Sequence, residues 1–262
     1  MSRIPEAVLD LAESLNINCP ARPGEERVVR PGYAAILGVE TDAHHNVVQR
    51  LRLAPGDVIA TVAEVRVLFA AKGRREITWE VGDSAEPKDL ADRLLALGMK
   101  PFYRHELSVG MVLTRPLEVG DSRVTVRRVE TFEEFARAAW IFRRSFGSND
   151  APEDEPEVAQ RWAEHQSVSI FERYLAFDGT EAIAAADALF LPAGVVMCGG
   201  ATLTSARSRG AYRALIAARW EEGRRRGTPT LITQAGSMSR PILKRLGFEE
   251  VVQVRVFLDT LT

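Results

Sequence analysis

The sequence predicts a mixed α+β chain, and three observations carry that prediction. Three apolar stretches, Ser169–Phe177, Ala182–Phe190 and Val195–Leu203, are separated by Asp178-Gly179 and by Pro192-Ala193-Gly194. That is the pattern of successive strands joined by tight turns. Two longer segments, Phe132–Phe146 and Ala211–Arg226, repeat apolar residues at helical spacing. Finally, the third apolar stretch runs straight into a basic turn, Arg207-Ser208-Arg209-Gly210, and the second helix follows at once.

Taken in order, the second half opens with the alternating strand Arg123–Arg127. Thr131 is placed to cap the helix Phe132–Phe146, with Glu134 three residues on as its capping-box partner. An acidic, proline-bearing segment, Gly147–Pro156, reads as a loop, and a helix from Glu157 to about Gln166 follows. After the three strands and the long helix come a strand at Thr230–Gln234, a short helix to Leu246 and a last strand at Glu249–Leu258. The first half repeats part of this order. Helical spacing over Val58–Ala71 is followed by a strand at Glu76–Val81, a helix near Pro87–Leu97 and an alternating segment at Phe102–Leu113. Gly73 answers Gly227, and Leu97-Gly98-Met99 answers Leu246-Gly247-Phe248, if a short insertion around Asp83–Pro87 is allowed. Arg115-Pro116 to Asp121-Ser122 reads as a linker, dividing the chain at about 1–118 and 123–262.

Composition narrows the partners. A chain of 262 residues holds one large domain or two modest ones. With 34 Lys and Arg against 36 Asp and Glu, there is no global pull toward nucleic acid or an anionic membrane. Cys19 and Cys198 have neither metal-ligand nor redox spacing, so no metal and no disulfide framework are expected. With no signal-peptide pattern at its start and no apolar run of about 20 residues, the sequence is expected to be cytoplasmic, as monomer or homodimer.

The turn has a physical reading of its own. Amide groups at a helix N-terminus lack intrahelical acceptors and carry the positive end of the helix dipole. Gly210 lets an anion approach the backbone, and Arg207 and Arg209 supply charge, so phosphate is the expected ligand. The matching turn of the first half, Leu51–Asp57, ends in a carboxylate at the helix start, which would cap the helix and repel a phosphate.

Arg207-Ser208-Arg209-Gly210-Ala211-Tyr212 resembles the acyl-CoA turn of the GNAT superfamily of N-acetyltransferases, Arg/Gln-x-x-Gly-x-Gly/Ala, through its fourth residue. Tyr212 departs from the small sixth residue. Ser239 to Phe248, closing in Leu246-Gly247-Phe248, is similar to the second landmark of that family. The resemblance covers about residues 123–262. It implies the GNAT acyl-CoA N-acyltransferase fold, a mostly antiparallel central sheet flanked by helices, in tandem with a degenerate first half that lacks a CoA turn. It further implies an N-acetyltransferase that moves an acetyl group from acetyl-CoA to the amine of a small molecule or peptide by direct attack. Cofactor contacts are then expected from Leu203, Thr204, Arg207, Ser208, Arg209, Gly210, Ala211, Tyr212, Arg213 and Ser239. Gly199-Gly200 inside the fourth strand suggests a bulge or a close backbone approach, with a plain barrel-type kink as the alternative.

The proton-transfer groups are less defined. The fourth strand lacks the glutamate that many relatives place there, and Leu243 stands where relatives often carry a tyrosine. Asp187 either faces the cleft and acts through water or anchors a neighbouring loop; His165 and Glu164 are weaker candidates. Tyr174 and Tyr212 are candidates for the acid, and Ser239 either contacts pantetheine or the thiol or caps its helix. Cys198 is read as a core residue, with a nucleophilic role as the alternative. The acidic residues at 149–157 would favour a cationic acceptor such as a polyamine, aminoglycoside or basic peptide, unless they are only a solvated loop. A non-catalytic acyl-CoA-binding or sensing protein is the competing class. A nucleic-acid surface on the basic helix Arg219–Arg226 is disfavoured by the balanced charge and the 7% aromatic content, and Arg224-Arg225-Arg226 is read as a solvated helix C-terminus.

Overall fold

The computed structural model describes residues 3–103, 107–117, 123–146 and 155–261. In chain order the helices are α1 (Glu6–Glu13), α2 (Leu15–Asn18), α3 (Val58–Ala70), α4 (Leu90–Ala96), α5 (Phe132–Phe146), α6 (Glu155–Ser167), α7 (Ala211–Arg225) and α8 (Arg240–Arg245). The strands are β1 (Glu26–Arg30), β2 (Tyr33–Leu37), β3 (Asn46–Gln49), β4 (Glu76–Gly82), β5 (Lys100–Pro101), β6 (Leu107–Leu113), β7 (Val124–Arg128), β8 (Phe171–Asp178), β9 (Glu181–Leu191), β10 (Gly194–Thr202), β11 (Leu231–Ala235) and β12 (Glu249–Thr260). The chain divides into two units. One holds residues 1–111, 234–245 and 249–262; the other holds 112–233 and 246–248.

The first unit carries the strand order β1-β2-β3-β4-β12-β6. β1 and β2 form an antiparallel hairpin around Pro31-Gly32, and β3 runs parallel to β4 with Val48 opposite Trp79. The last strand of the chain, β12, pairs antiparallel with β4 from Val254↔Gly82 to Thr260↔Glu76. The sequence division at 118/123 assigns this strand to the second half, whereas it completes the sheet of the first unit. Its inward residues show why it is held there. Phe257 enters the core with Trp79, Phe69, Ile77, Leu90 and Leu94, and buried Asp259 takes a bidentate contact from Arg66 of α3 at 2.9 and 3.0 Å. The alternation of β12 dictates that one face is buried, without naming the sheet it joins. The helix, strand and helix expected over 58–97 are α3, β4 and α4. Residues 6–49, for which the sequence reading assigned no elements, hold α1, α2 and β1–β3.

The second unit carries β11-β10-β9-β8-β7. β7 to β10 are antiparallel neighbours, and β10 is parallel to β11. α5 forms over the span expected from sequence. Thr131 Oγ1 accepts from the Glu134 amide at 3.2 Å, and the Glu134 carboxylate reaches back to the Glu130 amide at 3.0 Å. The expected loop falls largely at 147–154, outside the described residues, while Glu155 and Glu157 open α6. A Cβ added to Gly199 would meet Phe142 of α5, and one added to the next residue, Gly200, would meet Tyr212 of α7. Since neighbouring strand residues point to opposite faces, α5 and α7 cover opposite faces of this sheet.

Candidate functional site

The site grows from the way β10 ends. It pairs with β11 only through Val195↔Leu231 and Val196↔Ile232, then continues to Thr202 against β9 alone. Between Met197 and Gly199 the β9–β10 register slips by one residue, a β-bulge at Cys198. The extra residue is re-aimed, as bulges do. Cys198 is therefore exposed, which corrects its reading as a core residue. The glycine pair marks the bulge. Gly199 sits at the bulge, and Gly200 lets the Tyr212 ring approach to a distance where any Cβ would clash at 2.9 Å.

Beyond β10, Leu203 is buried and its amide donates to the Ile183 carbonyl at 3.0 Å. Thr204 opens a single 3-10 turn ending at Ala206. The backbone then takes positive φ at Ser208 (66°) and Gly210 (87°), and Gly210 becomes the N-cap of α7 without a side-chain cap. The first bond of the helix is Ala214 N–H to Gly210 C=O at 2.9 Å. Among the described residues, the amides of Ser208, Arg209, Gly210, Ala211, Tyr212 and Arg213 have no protein acceptor. No acidic residue lies in the first turn. Six consecutive free amides, a glycine without Cβ and the positive end of a 15-residue helix fit a pyrophosphate.

The charges around this turn are not equivalent. Arg207 and Arg213 are exposed and make no side-chain bond among the described residues. Arg209, expected to aim at phosphate, instead donates to Asp178 in the β8–β9 turn at 3.0 Å and to the Ser205 carbonyl at 3.0 Å. Its guanidinium braces the turn. In the first unit, Asp57 stands at the start of α3 as expected, but its side chain makes no capping bond. The carboxylate is there; the cap is not.

The catalytic candidates separate. Asp187 on β9 faces α5, where Arg173 holds both its oxygens at 2.7 and 2.8 Å. Arg173 lies 4.4 Å from the Phe135 ring centroid and 5.2 Å from that of Phe142. Asp187 thus anchors a strand neighbour, not a loop. Tyr174 lies on the opposite face, buried, its hydroxyl donating to Glu172, and burial raises its pKa far above the ordinary phenol range. The structure does not bring Tyr174 and Asp187 together. Tyr212 is half-buried against Gly200; burial raises its phenol while the Arg219 charge pulls the other way. His165 sits among the rings of Phe135, Trp162 and Phe171, and burial lowers its pKa. Ser239 immediately precedes α8, its carbonyl accepting from the Leu243 amide, and belongs to the first unit. Leu243 is buried.

Sequence reasoning missed Arg219. It enters the sequence analysis only as the first residue of the basic helix Arg219–Arg226, yet it is 1% exposed beneath β9 and β10. The signal was present: Arg219 falls one turn after Leu215, on the stripe of Ala211, Leu215 and Trp220 that faces the sheet. By contrast Arg224, Arg225 and Arg226 make local ion pairs with Glu221 and Glu222, as a helix end should.

No family model and no curated protein sequence matches the chain. Solved structures do. A GCN5-related N-acetyltransferase from Kribbella flavida superposes with a TM-score of 0.71 over 96% of this chain and 95% of its own, at 19% identity. A tandem GNAT protein from the clavulanic acid biosynthesis pathway gives 0.67 over 99% and 89%, at 18% identity. A GCN5-related N-acetyltransferase from Sphaerobacter thermophilus gives 0.63 over 97% and 90%, at 14% identity. The chain has the GNAT fold. The β10–turn–α7 passage is the part of that GNAT fold on which the free amides lie. Among the described residues no helix is long and apolar enough to cross a membrane, and no group of three or more His, Cys, Asp or Glu is arranged to hold a metal.

Proposed function

We propose that this protein is an N-acetyltransferase that takes acetyl-CoA as co-substrate and a small-molecule or peptide amine as acceptor, with its donor site in the second unit. The observation that carries this reading is the run of six unbonded amides from Ser208 to Arg213 at the start of α7. They would hold the pyrophosphate, with Arg207 and Arg213 adding charge. The side of β10 beyond Met197, whose carbonyl already accepts from Thr233 Oγ1 at 3.4 Å, would receive the amide-rich pantetheine arm as a strand neighbour. The acceptor nitrogen bonds to the thioester carbonyl carbon, the carbon–sulfur bond breaks, the nitrogen gives its surplus proton to solvent, and the thiolate takes a proton to leave as CoA. Tyr212, half-buried on the β10 side of α7, is the better-placed donor of that proton; Tyr174 is committed to Glu172.

Among the described residues, β10 carries no carboxylate, and Asp187 of β9 is held by Arg173. Asp187 would have to release Arg173 to accept a proton. The reading therefore favours acceptors with an appreciable neutral fraction at working pH, for which holding amine and thioester together supplies most of the acceleration. The same engagement of Asp187 favours the second reading, a non-catalytic acyl-CoA-binding or sensing protein. Release of free CoA thiol from acetyl-CoA across a panel of amines separates the two. Acceptor-dependent release supports the enzyme; binding without release supports the sensor.

The first unit is proposed to be a GNAT-derived half that has lost its CoA turn. α3, β4 and α4 repeat the order of α7, β11 and α8, while Asp57 occupies the helix start. The protein is further proposed to act in the cytoplasm, as monomer or homodimer, without nucleic-acid or membrane partners.

A further inference from the structure

Arg219 is a charged side chain that the fold takes fully out of water. Its Nε donates to the Leu215 carbonyl of its own helix at 2.9 Å. Its Nη1 donates to two carbonyls of the sheet, Asp187 at 3.2 Å and Gly199 at 3.3 Å. Its Nη2 is buried and has no partner. Among the described residues no carboxylate forms an ion pair with it. An unpaired buried cation is among the costlier features a fold can carry, and needs an offsetting reason.

Its location supplies the reason. Asp187 and Gly199 are cross-strand partners at the register slip, where a bulge leaves carbonyls without ladder donors. One arginine nitrogen serves both strands there. Two turns earlier on the same helix face, Tyr212 lies against Gly200, the next residue of β10. We propose that Arg219 is a positioning residue for acyl transfer: it clamps the β10 bulge through the Asp187 and Gly199 carbonyls and keeps a positive charge behind Gly199–Gly200, where the pantetheine arm would run. This rests on the acyl-CoA reading given above. The charge at that place favours the leaving thiolate, and the clamp fixes the backbone that the arm would pair with.

The test uses the full chain and two variants, Arg219→Met and Arg219→Lys. Hydrogen exchange at Gly199–Ala201 without ligand reads the clamp. Titration with CoA, and with the phospho-ADP head of CoA alone, reads the arm. Loss of charge-assisted bonds to two carbonyls predicts exchange and CoA dissociation constants each raised about tenfold in Arg219→Met, with phospho-ADP binding unchanged. Arg219→Lys, which keeps the charge and one carbonyl contact, should recover most of the CoA affinity. Should Arg219→Met not fold, Arg219→Lys carries the test, with a smaller shift in the same two readings. Unchanged exchange, or equal weakening of CoA and phospho-ADP, overturns the proposal. A wild-type chain that binds neither ligand overturns the acyl-CoA reading and this proposal together; wild type and variant binding CoA equally well overturns the proposal alone.

Discussion

Glu80, at the inner end of β4, offers a test of the electrostatics of the first unit. Its carboxylate is served by amides only: Gln49 Nε2 donates to one oxygen and Asn16 Nδ2 to the other at 3.3 Å. Burial pushes its pKa up to about 7 from an ordinary value of 4.5, against the smaller downward pull of Gln49. Between those two values the folded chain keeps a proton that the unfolded chain has released. Stability therefore falls as pH rises through this window and levels off above it. At about 1.4 kcal/mol per pH unit, the ionised form costs up to about 3 kcal/mol by pH 8. Glu80→Gln mimics the protonated form at every pH. It also turns an amide donor toward Gln49, whose own oxygen already accepts from the Ile17 amide at 3.0 Å, a misfit worth about 1 kcal/mol. The net expectation is a gain of about 2 kcal/mol at pH 8 and close to none at pH 5. Thermal unfolding across that pH range should show the variant melting about 4–8 °C higher at pH 8 and level with wild type at pH 5. A variant less stable at pH 8, or a gain independent of pH, would refute the reasoning.

Other predictions concern the second unit. Arg207→Ala should weaken CoA binding about tenfold, since its guanidinium is uncommitted, whereas Arg209→Ala should cost less because Arg209 is tied to Asp178. Asp178→Asn releases Arg209 and should tighten CoA binding; calorimetry on the three variants orders them. Asp187→Asn should lower stability by about 3 kcal/mol by leaving Arg173 unpaired, while the kcat of the folded variant falls less than about tenfold. A steeper loss of kcat at unchanged stability would make Asp187 the base after all. If the acceptor deprotonates unaided, kcat/KM should rise with pH along the pKa of each amine tested and not along a common enzyme pKa.

Much of the second unit was legible because its signals are local. Thr131 and Glu134 mark the start of α5, Asp178-Gly179 marks a hairpin, and Gly210 marks the turn into α7; each is set by neighbours within a few residues. What escaped was set by distant partners. The place of β12 beside β4 depends on Phe257 and Asp259 finding the core and Arg66 of another part of the chain. The exposure of Cys198 depends on which residue the bulge suggested by Gly199-Gly200 turns outward, and pairing with β9 decides that. The partners of Asp187 and Arg209 lie 14 and 31 residues away and were chosen by strand register and turn geometry. Arg219 was the readable exception, because residue spacing alone puts it on the apolar stripe of its helix.

The central claim is that the amides of Ser208–Arg213 grip the pyrophosphate of acetyl-CoA, and calorimetric titration of acetyl-CoA tests it most directly. Gly210→Asp serves as the control. At a φ of 87° the new side chain is strained, and its carboxylate stands where phosphate charge would sit. The wild type should bind, and a folded Gly210→Asp variant should bind at least about tenfold more weakly. Absence of binding to the wild type, or equal binding by both, would contradict it.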